Sequence, residues 1–174
     1  MKPLTPRAKV VTLALLVAYG TSYGQVLGGS ATGENSVAIG AASTAPDGES
    51  TAIGAVSKAS GRDSTALGAA SKASGKKSAA FGWGSKASGS SSTAVGAASE
   101  ASGRSSVALG VASKATEDDT VSVGHGDTSN TVHPATRRIV NVTAGKNATD
   151  AVNKAQLDAL LTRIKALEAK LASK

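Results

Sequence analysis

The chain has 174 residues, with 20 Gly, no Cys, and one Trp, one Phe and two Tyr. That composition excludes a conventional aromatic-rich core, a disulfide framework and a thiolate metal site, and fits a repetitive or fibrous protein. Net charge is +7, and removing Lys2, Arg7 and Lys9 from that total leaves +4. This is too dilute, and too free of basic runs interleaved with aromatics, to suggest a nucleic-acid surface.

Residues 1–24 have the pattern of a secretory signal peptide. Lys2, Arg7 and Lys9 form the positive start, residues 10–19 the apolar core, and Ser22-Tyr23-Gly24 a small-residue cleavage site, with Gly20 as a second candidate. The apolar stretch is about half the roughly twenty residues that span a bilayer, so the expectation is export with no membrane-spanning segment in the mature chain.

Residues 36–124 are built on one repeat. Ser-x-Ala-φ-Gly, with φ apolar, starts at Ser36, Ser50, Ser64, Ser78, Ser92 and Ser106, every interval being 14 residues, and a weaker seventh copy starts at Thr120. The φ residues are Ile39, Ile53, Leu67, Phe81, Val95, Leu109 and Val123, and each is followed by Gly. A strict period of this length predicts stacked units, one repeat per coil. The Ser-x-Ala-φ-Gly segment alternates like a strand, a second short segment x-Ala-Ser-x-Ala follows, and Gly or polar corners close the coil. The prediction is a parallel β-solenoid with coils about 4.8 Å apart. Alternation puts Ala on one strand face and φ on the other. One face fills a narrow interior; the φ face needs a second partner, for which another copy of the chain is the natural candidate. Ile39, Ile53, Leu67, Phe81, Val95 and Leu109 are therefore expected in a subunit contact.

The ninth repeat position holds Lys58, Lys72, Lys86 and Lys114, with Thr44 and Glu100 in the other copies. Stacking places these lysines in one column. It reads first as a solvated face that blocks edge-to-edge association, and second as a stripe for an acidic glycan. Trp83 replaces the Ala or Val of other copies beside Phe81, and is expected to fill a local gap or cap one side of the column, with an exposed ligand contact as the alternative.

Past Gly124 the period stops. Residues 125–149 are polar and irregular, with Pro134 and Gly145 as breakers, and His125 and His133 have no ligand set around them. Thr149 or Asp150 is the expected start of a helix. Leu157, Leu160, Ile164, Leu167 and Leu171 fall at a and d of a heptad, which predicts a self-associating coiled coil. Arg163 and Glu168 are spaced for an interchain ion pair. Running the register back puts Asn153 at d as a polar layer.

The Ser-x-Ala-φ-Gly-x-x-Ser repeats resemble the head of the YadA-like trimeric autotransporter adhesins. The run from Thr136-Arg137-Arg138-Ile139-Val140-Asn141 to Ala144-Gly145, then Thr149-Asp150-Ala151-Val152-Asn153 and Gln156-Leu157, is similar to that family's neck. The resemblance implies a trimer of left-handed parallel β-rolls, then a neck and a short trimeric α-helical coiled coil. Its neck residues here are Arg137, Arg138, Asn141, Asp150, Asn153 and Gln156. It implies display on a Gram-negative surface and binding to host matrix or cells. The expected divisions are a signal peptide at 1–24, a head at 25–124, a neck at 125–149 and a stalk at 150–174. The family's β-barrel anchor has no counterpart before Lys174, so the expectation is either an outer-membrane location by resemblance or a secreted protein.

No nucleophile–base set stands out, and the serines occupy repeat positions, so an enzyme, a cofactor or a metal is not expected. The competing reading is a passive spacer, or a truncated fragment of a trimeric autotransporter. An ice-type face is disfavoured because the second repeat position is too mixed: Val37, Thr51, Thr65, Ala79, Thr93, Val107, Val121. The expected partners are the chain itself, as a homotrimer, and a host matrix protein or acidic glycan, which the lysine column and Trp83 would meet.

Overall fold

The computed structural model describes residues 28–126 and 135–173. The expected leader, and His133 and Pro134, lie outside the described residues. The chain divides into two compact units, Met1–Arg137 and Arg138–Lys174.

Among the described residues, the first unit is a parallel β-solenoid of 14 short strands in two 7-stranded sheets. One sheet stacks Ser30–Ala31, Thr44–Ala45, Lys58–Ala59, Lys72–Ala73, Lys86–Ala87, Glu100–Ala101 and Lys114–Ala115. The other stacks Val37–Ile39, Thr51–Ile53, Thr65–Leu67, Ala79–Phe81, Thr93–Val95, Val107–Leu109 and Val121–Ser122. Each residue pairs with the one 14 positions on, as in Ala52↔Ala66 and Lys58↔Lys72. The six steps of each ladder make a column about 29 Å long. The solenoid already includes half a coil before Ser36, where Ser30 and Ala31 pair with Thr44 and Ala45. That half-coil carries Gly29 where the repeat has Ser, which conceals it in the sequence.

The interior is made of small side chains. From Ala45 to Ala108 the inward-facing strand alanines of both sheets, such as Ala52 and Ala59, are fully buried, Ala31 and Ala38 at the first coil are half-buried, and the largest fully buried side chains are serines. Those serines are needed because each corner leaves a carbonyl facing inward. Ser57 Oγ donates to Gly54 O at 2.8 Å, Ser92 Oγ to Gly89 O at 2.7 Å and Ser106 Oγ to Gly103 O at 2.7 Å. A buried carbonyl without a partner is costly, so Ser recurs at the first and eighth positions for the same reason. Ser78 Oγ is the exception, being buried with no partner.

The fourteen-residue repeat is two seven-residue halves, each a Ser-x-Ala strand and a tight corner. The corners close with the serine amide donating to the carbonyl three residues back, as from Ser57 to Gly54 and from Ser78 to Gly75, both at 3.2 Å. The residue before each serine has a left-handed backbone: Ala42, Glu49, Val56, Asp63, Ala70 and Lys77 lie at φ between 55° and 60°, and Gly84 at 61°. L-residues pay about 1–2 kcal/mol for this conformation, most sharply when β-branched. Val56, exposed and at φ 60°, is the most strained of them. Val56→Gly should therefore raise the melting temperature by about 1–3 °C, the strain relieved exceeding the extra freedom of glycine in the unfolded chain. A lower melting temperature by calorimetry would contradict that assignment.

The second unit holds one helix, α1 (Lys154–Ala172). It starts later than Thr149 or Asp150, because its N-cap is Asn153, joined to Gln156 in a reciprocal capping box. Asn153 is thus outside the helix, with its side chain engaged in the cap, and does not form a polar heptad layer. None of the helix residues is buried.

Candidate functional site

Three surfaces carry the residues singled out in the sequence. The first is the outer face of the sheet containing Thr65–Leu67. With Ala turned inward, the φ side chain on its other side must point out. Ile39, Leu67 and Leu109 are 40%, 44% and 47% exposed, and Ile53, Phe81 and Val95 are half-buried. The ladder stacks them in direct register, Ile53 over Leu67 and Leu67 over Phe81. Trp83 stands at the corner after this strand. Its side chain fills no gap in the coil, being 65% exposed: the sixth position lies outside the turn, where only the corner backbone is packed.

The second surface is the outer face of the other sheet. Lys58, Lys72, Lys86 and Lys114 are exposed above buried alanines, in one register column that Glu100 interrupts. Lys86 and Glu100 approach to 3.6 Å, an exposed pair that contributes little to stability.

The third carries the residues expected in the neck, and they fall into two groups. Arg137 belongs to the solenoid unit, where it ends the column. In each coil the amide of the seventh residue donates to the carbonyl one coil back, as from Ala98 to Trp83 and from Ala112 to Ala97. After the last full coil that series of donors stops. The Arg137 guanidinium takes over, donating from Nη2 to Val111 O at 2.5 Å and from Nη1 to Val123 O. It also packs over Gly110, on which the next glycine of the column would otherwise lie. Arg137→Gln should expose this end: about 1.5–3 kcal/mol is the usual value of a charged hydrogen bond. The readout is faster exchange of the Lys114 amide, which is bonded to Gly124 O in the last layer. Unchanged exchange would show that Arg137 does not hold that layer.

In the second unit Asn153 and Gln156 bond each other, and Asp150 bonds the turn at Lys146 and Asn147. Gln156 Nε2 donates to Gly145 O at 3.0 Å while its Oε1 accepts from Gly145 N at 2.8 Å. Asn153 Nδ2 donates to Val142 O at 3.1 Å. Two side chains at the helix start thereby pin the backbone of Val142 to Gly145. Asn141, one residue earlier, sits at φ 62°, where Asn is tolerated. Arg138 is exposed and lines the same cleft as Ile139, Val140 and Val152.

The backbone amide of Asn147, then that of Lys146, holds the Asp150 carboxyl below the usual aspartate range. A lowered folded value means the turn's stabilisation is present above the ordinary aspartate pKa near 4 and is lost as pH falls through the folded value. Exchange at the Lys146 and Asn147 amides should accelerate only at that acid end, and Asp150→Asn should remove the step.

Among the described residues no cluster of His, Asp and Glu could hold a metal, and no helix is long and apolar enough to cross a membrane. Comparison with known proteins agrees with this anatomy. A model of the YadA head domain repeat matches residues 31–57, 59–85, 73–99, 87–110 and 101–126. A model of the coiled stalk of trimeric autotransporter adhesins matches residues 138–173. The chain belongs to the YadA-like trimeric autotransporter adhesins. Among solved structures, the collagen-binding domain of the Yersinia adhesin YadA is 35% identical to this YadA-like chain, with a TM-score of 0.59, over 73% of this chain and 75% of that one. No curated protein sequence matches this YadA-like chain. Its fold and family are those of an adhesin.

Proposed function

We propose that the chain is the head, neck and stalk segment of a homotrimeric adhesin, displayed on the cell surface or secreted, that binds a host matrix protein. The unpartnered apolar column of Ile39, Ile53, Leu67, Phe81, Val95 and Leu109 carries this reading. Its residues face outward in coil-by-coil register, above an interior of nothing larger than serine. Covering that face with further copies buries the large side chains a single coil cannot enclose, at about 1.5–3 kcal/mol each. The exposed heptad of Leu157, Leu160, Ile164, Leu167 and Leu171 calls for the same copies. The likeness to a collagen-binding domain supports a matrix protein as the partner. The reading needs no catalysis and no cofactor: interior serine hydroxyls such as those of Ser57, Ser71 and Ser99 are engaged with corner carbonyls.

The test is adhesion of the purified chain, of verified mass, to immobilised collagen and other matrix proteins. Saturable binding at micromolar concentration or below is expected, with avidity from three heads on one stalk. If the intact assembly binds no matrix protein, glycan or cell surface, a passive spacer replaces this reading.

A further inference from the structure

The lysine column is one half of a wider basic surface. Arg62, Lys76 and Lys77 stand at the corner that follows it in the same coils, all exposed. The ladder stacks that corner too, the Lys77 amide donating to Arg62 O and the Ser91 amide to Lys76 O, both at 2.8 Å. Between the two cation columns runs a third, of Ser60, Ser74 and Ser88, none of them buried. Within 20 residues there are five cations, Lys58, Arg62, Lys72, Lys76 and Lys77, against one acid, Asp63. Asp63 approaches Arg62 at 3.9 Å, and among the described residues Lys58, Lys72, Lys76 and Lys77 form no ion pair.

The surface has ends. Asp47 and Glu49 lie in the coil before it, and Glu100 opposes Lys86 beyond it. Lys114 lies outside the patch, next to Glu100 in the ladder and followed by Glu117, Asp118 and Asp119. Trp83 is at the other corner of the coil. A solvated face meant only to block edge pairing has no need of two parallel cation columns in the same coils.

We propose that this surface binds a linear sulfated polysaccharide, lying along the two columns with its sulfates on Lys58, Lys72, Lys76 and Arg62 and its hydroxyls on the serine column. The proposal rests on the adhesin reading and names a class of ligand for it. Cations repeating at the strand spacing match a chain of regularly placed anions, and the intervening serines supply neutral donors and acceptors. No aromatic side chain stands on this face, so a single-stranded nucleic acid would find nothing to stack on.

The experiment measures binding of heparin, duplex DNA and collagen to the purified full chain, and to Lys72→Gln/Lys76→Gln and Lys165→Gln/Lys170→Gln variants. Heparin should bind the parent chain. The first double variant should lose at least tenfold in affinity at physiological salt, with a salt slope shallower by about 0.7 per lysine removed. The second, with the same charge change on the exposed helix, should bind as the parent does. Melting curves of the variants should match the parent's. Equal losses in both variants would reduce the effect to net charge, and duplex DNA bound as tightly as heparin would reduce it to unspecific polyanion attraction; either overturns the proposal. Collagen separates the two levels. Collagen bound without heparin overturns this site alone, whereas a chain that binds neither, nor any other matrix protein, glycan or cell surface, overturns the adhesin reading as well.

Discussion

Gly75→Ala should unstack the solenoid at its third coil, whereas Gly48→Ala should be close to silent. A Cβ on Gly75 would lie 2.0 Å from Gly89 O and 2.6 Å from its carbonyl carbon. Both are backbone atoms, fixed by the ladder in which Ser74 N donates to Ala87 O at 2.9 Å. The coil cannot open at this corner without giving up those bonds. A cost of about 3 kcal/mol or more is expected, at the upper end of overpacking effects. A Cβ on Gly48 meets only Glu34 O, at an ordinary 3.6 Å. Ala66→Leu makes the same test of the interior, since Ala66 is fully buried in a space that otherwise takes alanine and serine. Circular dichroism melts decide: similar melting temperatures for the two glycine variants would mean the corners are not stacked as described.

Much of this column could be read from the sequence, because its period and its alternation are both consequences of stacking. Gly at every fifth position and Ala at every third mark atoms that must lie close to the next coil. The left-handed corners were not legible in the same way. Ala70, Lys77 and Val56 adopt that conformation because the stack imposes it, and only Gly84, Asn35, Asp63 and Asp119 among the corner residues are of types that favour it. The helix start was misplaced because Thr149, Asp150 and Asn153 are all good caps. The deciding signal was Gln156 three residues after Asn153, which completes the capping box. Arg137 was assigned to the neck by resemblance alone. Its role in closing the column depends on which carbonyls the last coil leaves open, and a linear pattern does not carry that. The second cation column escaped notice because Arg62, Lys76 and Lys77 do not share one repeat position with the lysines, and only the folded corner brings both columns onto one side.

Leu67→Ala discriminates sharply between a solitary solenoid and an assembled one. In the single chain Leu67 is 44% exposed, so truncating it removes contacts that are partly made to water and costs about 1 kcal/mol or less. Covered by neighbouring copies, the same side chain belongs to a core, where Leu→Ala costs about 2–5 kcal/mol, three times over in a trimer. The stalk gives a parallel test. An isolated helix of 19 residues with no buried side chain is marginal in water. Leu160→Asp would bring three carboxylates together at one heptad layer and should abolish the helical signal at 222 nm, while Lys165→Asp, on the outer side of the heptad, should preserve it. Light scattering should give three chain masses for the parent and a lower mass for Leu160→Asp, unless the head alone holds the trimer. In that case the loss of helicity still reports the stalk. A parent of one chain mass, together with an unchanged melt for Leu67→Ala, would mean that no copy covers the apolar column and that the homotrimer must be abandoned.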